Sequence, residues 1–181
     1  MTNSQIPIKS DSDRKTEDFD ISQYTPAPLR MDMTIAFEGK TPAEVFEILG
    51  NPELIPEWYI LAEKVNVYPP EEGEEESGKF TVDFLFFGEV YEEVLHWDPP
   101  HRYVYKAVGE KFPIKDYIAL IEVIETEPGK GLLTWRIYCS QIEGRKYQIV
   151  MPLILPPINE ESIKALSPII GGTNYEVRSY F

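Results

Sequence analysis

Between Glu63 and Ser140 the chain spells out six short runs, each bounded by turn residues, and in several of them polar and apolar side chains alternate. A period of two places alternate residues on opposite faces, so this stretch is committed to a mostly antiparallel sheet with one face turned to a core. The runs are 63–68, 79–87, 89–97, 102–108, 115–125 and 132–140. Gly73, Gly78, Gly88, Asp98-Pro99-Pro100 and Pro128-Gly129-Lys130-Gly131 supply the turn chemistry of successive hairpins. A seventh run precedes them, where Met31, Met33, Ile35 and Phe37 alternate with Arg30, Asp32, Thr34 and Ala36.

Between that first strand and the rest the period changes. Thr41-Pro42-Ala43-Glu44 reads as a capping box with proline at the first helical position, and Val45, Phe46 and Leu49 form the apolar stripe behind it. Asn51-Pro52 stops that helix and caps a second short one running toward Trp58. A last helix is expected from Asn159-Glu160-Glu161-Ser162, with Ile163, Leu166 and Ile170 at helical spacing and Gly171-Gly172 at its end. Pro152, Pro156, Pro157 and Pro168 predict that this terminal cover is kinked, shortened or split. Tyr175, Val177, Tyr180 and Phe181 are apolar enough that the chain end is expected to dock on the domain. The fold class is α+β, one domain over 29–181 after a polar, flexible leader over 1–28.

The phases of the strands indicate an inner face. Phe80, Val82, Phe84 and Phe86 oppose Lys79, Thr81 and Asp83; Tyr103 and Tyr105 oppose Arg102 and Lys106; Trp135, Ile137 and Cys139 oppose Thr134 and Arg136. Tyr117, Ala119, Ile121 and Val123 form one phase of their run, although Ile118, Leu120 and Ile124 make the opposite phase nearly as apolar. In the run 89–97 Val90 and Val94 share a phase with Glu92 and His96 while Leu95 and Trp97 share one with Glu93, so alternation does not decide it. The assigned face is rich in aromatic rings under few helices. That composition suits either an ordinary core or a hollow for a mostly apolar ligand, with tyrosine hydroxyls as polar handles.

Charge and chemistry narrow the function classes. The 31 acidic and 17 basic residues leave a formal charge of -14, which disfavours nucleic acid and anionic lipid surfaces as partners. The run Glu71, Glu72, Glu74, Glu75 and Glu76 reads as a solvated loop, lacking the ligand spacing of a calcium site. Cys139 is the only cysteine, so no intrachain disulfide forms; with no secretory h-region and no stretch of about 20 apolar residues, a cytoplasmic protein without an integral membrane segment is expected. No phosphate loop, dinucleotide fingerprint, nucleophile elbow or zinc signature occurs, so neither a metal nor a cofactor is expected. His96 and His101 flank a hairpin tip and read as structural. Glu92 and Glu122 lie within strands, where either would act as a general base if it faced an apolar cavity. Glu122 shares its phase with Asp116, and Arg136 lies on the polar phase of its own strand, so an exposed cross-strand ion pair is the plainer expectation there. Cys139 is expected inward and inert.

The order strand, two short helices, six strands, terminal helix resembles the helix-grip fold of the START-related superfamily, which includes polyketide cyclases and lipid-transfer domains. Thr41 to Leu49 followed by Asn51 to Trp58 is similar to that superfamily's helix pair and closing tryptophan. His96-Trp97-Asp98-Pro99-Pro100-His101-Arg102-Tyr103-Val104-Tyr105 is similar to its double-proline hairpin, and Leu133-Thr134-Trp135-Arg136 to its late strand. The resemblance implies a curved sheet of roughly seven strands wrapped around a C-terminal helix, with an internal cavity for an apolar small molecule. It places Trp58, Phe84, Phe86, Tyr103, Tyr105, Tyr117, Trp135 and Ile137 on the cavity wall. Three functions stay open: a non-catalytic carrier of a lipid-, isoprenoid- or polyketide-like molecule, a cyclase or aromatase, and an interaction module with a vestigial cavity.

Overall fold

The computed structural model describes residues 19–70 and 78–181. The acidic run Glu71 to Glu76 and the first part of the leader lie outside the described residues. Strand β1 (Leu29–Glu38) leads into α1 (Pro42–Gly50), a 3-10 turn (Pro52–Leu54) and the single-turn α2 (Ile55–Trp58). Then follow β2 (Ala62–Val67), β3 (Lys79–Phe84), β4 (Gly88–Asp98), β5 (Arg102–Val108), β6 (Ile114–Lys115), β7 (Tyr117–Glu127), β8 (Lys130–Tyr138) and β9 (Gln141–Ile142). The long α3 (Arg145–Ile169) and β10 (Gly172–Ser179) complete the chain.

Eight strands form one sheet in the order β10-β1-β8-β7-β5-β4-β3-β2, and β6 pairs with β9 in a small separate ribbon. Every pairing is antiparallel. The eighth strand is the apolar chain end, which docks on β1 by main-chain pairing from Phe37↔Gly172 to Met31↔Ser179. The capping box forms as the residues require: Thr41 Oγ1 accepts from the Glu44 backbone N–H, and Glu44 Oε2 accepts from the Thr41 N–H at 2.7 Å.

Beneath the sheet, α3 is a single 25-residue helix. The expected shortening or splitting at the prolines does not occur, and Asn159, expected as a cap, sits buried in the helix interior. The buried positions Met151, Leu155, Asn159, Ser162, Ile163 and Leu166 recur at helical spacing, whereas Pro152 and Pro156 are only half-buried and Pro157 and Pro168 are exposed. Packing of that stripe outweighs the lost backbone N–H groups, since tertiary burial supplies most of a helix's stability. Gly171, at φ +77°, adopts the left-handed backbone that ends α3 and starts β10.

Two details of register decide which side chains reach the interior. Strand β3 ends at Phe84, and the Phe87 N–H donates to the Phe84 carbonyl in a tight turn closed by Gly88 at φ +64°. The alternation therefore stops early, Phe86 points to solvent at 69% exposure, and Phe87 takes the inward place. On β4 the register with β5 slips between Val94 and His96, which leaves Leu95 as the extra residue of a bulge. Before the bulge Val90, Glu92 and Val94 face inward; after it the inward residue is Trp97, paired with Tyr103. This phase reversal is why the run 89–97 resisted assignment by periodicity.

The outer face of the sheet is apolar at Val104, Ile118 and Leu120, and the end of the segment read as a leader covers it. Phe19, Ile21 and Tyr24 pack there, Phe19 lies 5.1 Å from His96 by ring centroids, and Arg102 sits 5.0 Å over the Phe19 ring. Asp20 caps the 3-10 turn Ile21–Gln23. This strap accounts for the second apolar phase of β7. Beside it Glu122 pairs with Arg136 at 3.0 Å and Arg102 at 3.5 Å, the outward ion pairing expected for that carboxylate.

Candidate ligand-binding site

The inner faces of β3, β4, β5, β7 and β8 meet α2 and α3 around an internal hollow of about 70 Å³. A second hollow of about 40 Å³ lies next to it, and Ile55, Trp58, Glu92 and Tyr105 line both. Of the residues expected on the wall, Trp58, Phe84, Tyr105, Tyr117, Trp135 and Ile137 line the larger hollow, and Tyr103 the smaller. Phe86 does not, because the β3–β4 turn carries it outward.

The rings on the wall form two groups, one of Trp58, Tyr59, Phe84 and Trp135, the other of Tyr103, Tyr105, Tyr117, Phe112 and Phe87. Trp58 stands edge-on to Trp135 at 5.7 Å, Tyr59 lies 5.5 Å from Phe84, Tyr103 is 6.0 Å from Tyr105, and Tyr105 is 6.1 Å from Tyr117. Such edge-to-face and tilted contacts are the arrangements that aromatic quadrupoles favour. Tyr105 and Tyr117 share a hydrogen bond, and burial raises the pKa of both phenols well above the usual tyrosine range, as it does for Tyr59 and Tyr103. The tyrosines are therefore neutral hydrogen-bonding handles at physiological pH.

Glu92, a candidate general base from the sequence only if it faced an apolar cavity, does face one. It faces Phe80 across β3 and Ala107 across β5, is only 9% exposed, and lines both hollows. Among the described residues no donor bonds its carboxyl, and no Lys, Arg or His lines either hollow. Burial in this apolar setting pushes its pKa up to about 8. Its phase with Val90 and Val94 was the one available signal. Tyr59, Phe87, Phe112 and Asn159 also line the larger hollow without having been marked out. Asn159 Nδ2 donates to the Leu155 carbonyl at 2.9 Å, while its Oδ1 and the indole nitrogens of Trp58 and Trp135 have no partner among the described residues.

The other candidates lie elsewhere. His96 packs on the outer strap and His101 sits in the β4–β5 turn. Cys139 lines the hollow as expected, its thiol pKa raised chiefly by burial, which keeps it in the unreactive protonated form. Among the described residues no group of three or more His, Cys, Asp or Glu is placed to hold a metal, and no helix is long and apolar enough to cross a membrane.

A curved antiparallel sheet closed by a long C-terminal helix over an aromatic hollow is the helix-grip arrangement, and the comparison of sequences decides the family. Residues 20–154 match the profile of the family described as polyketide cyclase / dehydrase and lipid transport. The chain belongs to this family. No curated protein matches it significantly. Among solved structures, a conserved protein from Geobacillus kaustophilus superimposes with a TM-score of 0.63 at 16% identity, over 82% of this chain and 99% of that one. A START superfamily protein from Mycobacterium smegmatis gives a TM-score of 0.59 at 13% identity, over 78% and 97%. Norcoclaurine synthase from Thalictrum flavum, in complex with dopamine and hydroxybenzaldehyde, gives 0.56 at 17% identity, over 92% and 96%. At these identities the shared property is the fold.

Proposed function

We propose that this protein takes up a small, mostly apolar molecule in the hollow between sheet and α3, and carries or senses it without changing it chemically. The observation that carries this reading is a wall rich in aromatic rings around unfilled space in the core. The family's description, which includes lipid transport, supports it. The hollow is several-fold smaller than the roughly 300 Å³ at which drug-sized pockets begin, so an occupant has few heavy atoms or moves the walls as it enters. Lipid-, isoprenoid- and polyketide-like chains require the second route. A cytoplasmic site of action agrees with the lone Cys139, and the charge of -14 argues against nucleic acid as a partner.

Native mass spectrometry after incubation with a solvatochromic apolar dye, followed by organic extraction of protein taken directly from cells, tests the proposal. A one-to-one complex with dye or an extracted ligand is expected; a protein that admits neither overturns it.

One observation favours a second reading as a cyclase-like enzyme. A carboxyl with a pKa of about 8 exchanges protons readily at neutral pH, which is the property a general acid or base requires. Turnover of a poly-β-keto thioester that disappears in Glu92→Gln, with the dye still bound, would select this reading over the carrier.

A further inference from the structure

Among the described residues Glu92 is the single acid on the wall of either hollow, and no Lys, Arg or His lines either one. The groups turned toward it are Phe80 from β3, Tyr103, Tyr105 and Ala107 from β5, Tyr117 from β7, Tyr59 after α2, and, from α3 across the larger hollow, the amide of Asn159. The titratable ones are phenols, and Cys139 adds a neutral thiol. A buried carboxyl without a counter-ion destabilises the protein that carries it, and it is stabilised once a cation arrives from outside. A neutral ligand that merely hydrogen-bonds the protonated acid makes no use of the cation–π attraction that the Trp and Tyr rings on the same wall can supply. It also makes no use of the overall charge of -14, which raises the local concentration of cations.

We infer that the hollow recognises an organic ammonium group on a small apolar body, with Glu92 as its counter-ion and the surrounding Trp and Tyr rings as its walls. The inference rests on the ligand-container reading and names the chemistry of the ligand. Inside the complex Glu92 is an anion. Because its carboxyl in the empty protein holds a proton up to about pH 8, binding of a cation expels that proton. Affinity for a permanent cation therefore rises about tenfold from pH 6 to pH 7 and levels off above pH 8.

The test uses two matched pairs, choline with 3,3-dimethylbutan-1-ol and benzylammonium with benzyl alcohol, titrated calorimetrically into wild-type protein and Glu92→Gln at pH 6, 7 and 8.5. Wild type is expected to prefer each cation over its neutral partner by at least about tenfold at pH 8.5. The choline affinity is expected to climb with pH as stated, and Glu92→Gln to lose both the preference and the pH dependence while still binding the neutral partners. Equal binding of cation and alcohol, or a preference that survives in Glu92→Gln, overturns the inference and leaves the container reading standing. Refusal of all four compounds and of the apolar dye overturns both.

Discussion

The phenolic hydroxyl of Tyr103 donates to the backbone carbonyl of Leu49 across 2.9 Å, joining the centre of the sheet to the last turn of α1. A last-turn carbonyl has no N–H partner within its own helix, so Tyr103 does for α1 what a solvent molecule would do at an exposed end. Tyr103→Phe keeps the ring and orphans that buried oxygen. The expected loss is about 1–2 kcal/mol in urea unfolding, with the m-value unchanged.

Glu92 sets a pH dependence of stability with a defined sign. Its folded pKa of about 8 lies above the ordinary glutamate value of 4.5, so between those values the native state holds a proton that the unfolded chain has released. The unfolded state then binds fewer protons, and stability falls as pH rises, by up to about 1.4 kcal/mol per unit through this window. Below it both states are protonated, and above pH 8 the loss is complete. Glu92→Gln is expected to remove this slope and to exceed wild type by a few kcal/mol at pH 8.5, on the order the same linkage allows. Urea melts of both proteins at pH 5, 6.5 and 8.5 check it; parallel curves would contradict the burial of Glu92.

Leu155 on α3 lines the larger hollow and is buried. Leu155→Ala is expected to cost about 2–5 kcal/mol, because the surroundings relax only partly into the space vacated. The same space enlarges the hollow, so the variant should take up more apolar dye than wild type at equal concentration of folded protein. Lower stability without greater uptake would mean that the walls collapse inward.

Removal of residues 1–28 strips Phe19, Ile21 and Tyr24 from Val104, Ile118 and Leu120 on the outer face of the sheet. Re-exposure of that apolar patch is expected to lower stability by about 2–4 kcal/mol and to increase binding of a surface-sensitive fluorophore. Cation binding in the hollow, on the opposite face, should be unaffected.

Most of the architecture was legible because alternation, capping and turn chemistry are local signals. Thr41 and Glu44 announced α1, and the phases of β1, β5 and β8 placed Met33, Tyr105 and Trp135 correctly inside. Failures came where one element's conformation depends on another. Whether Phe86 or Phe87 enters the core depends on where β3 turns, and the side of Trp97 depends on a bulge opposite β5. The prolines of α3 carry a strong local signal against a helix, and only the sheet beneath Met151 and Leu155 overrules it. Glu92 was the hardest to place, since a carboxylate on an inward phase reads as a mistaken phase until the bulge at Leu95 is known. The size of a hollow leaves no periodic trace, so the smallness of this one emerged only in three dimensions.

Strand β1 carries Met31, Met33, Ile35 and Phe37 in one unbroken row, all buried. Left at the border of the sheet, its free main-chain groups would be an adhesive template for a second molecule. The return of the chain as β10 moves that row one place inward and offers the outside a strand bearing Asn174 and a bidentate Glu176–Arg178 pair instead. At the far border β2 presents Glu63 and Lys64. Both rims of the sheet thus end in charge, and protein truncated after Gly171 is expected to self-associate, with rising light scattering, where the full chain stays dispersed.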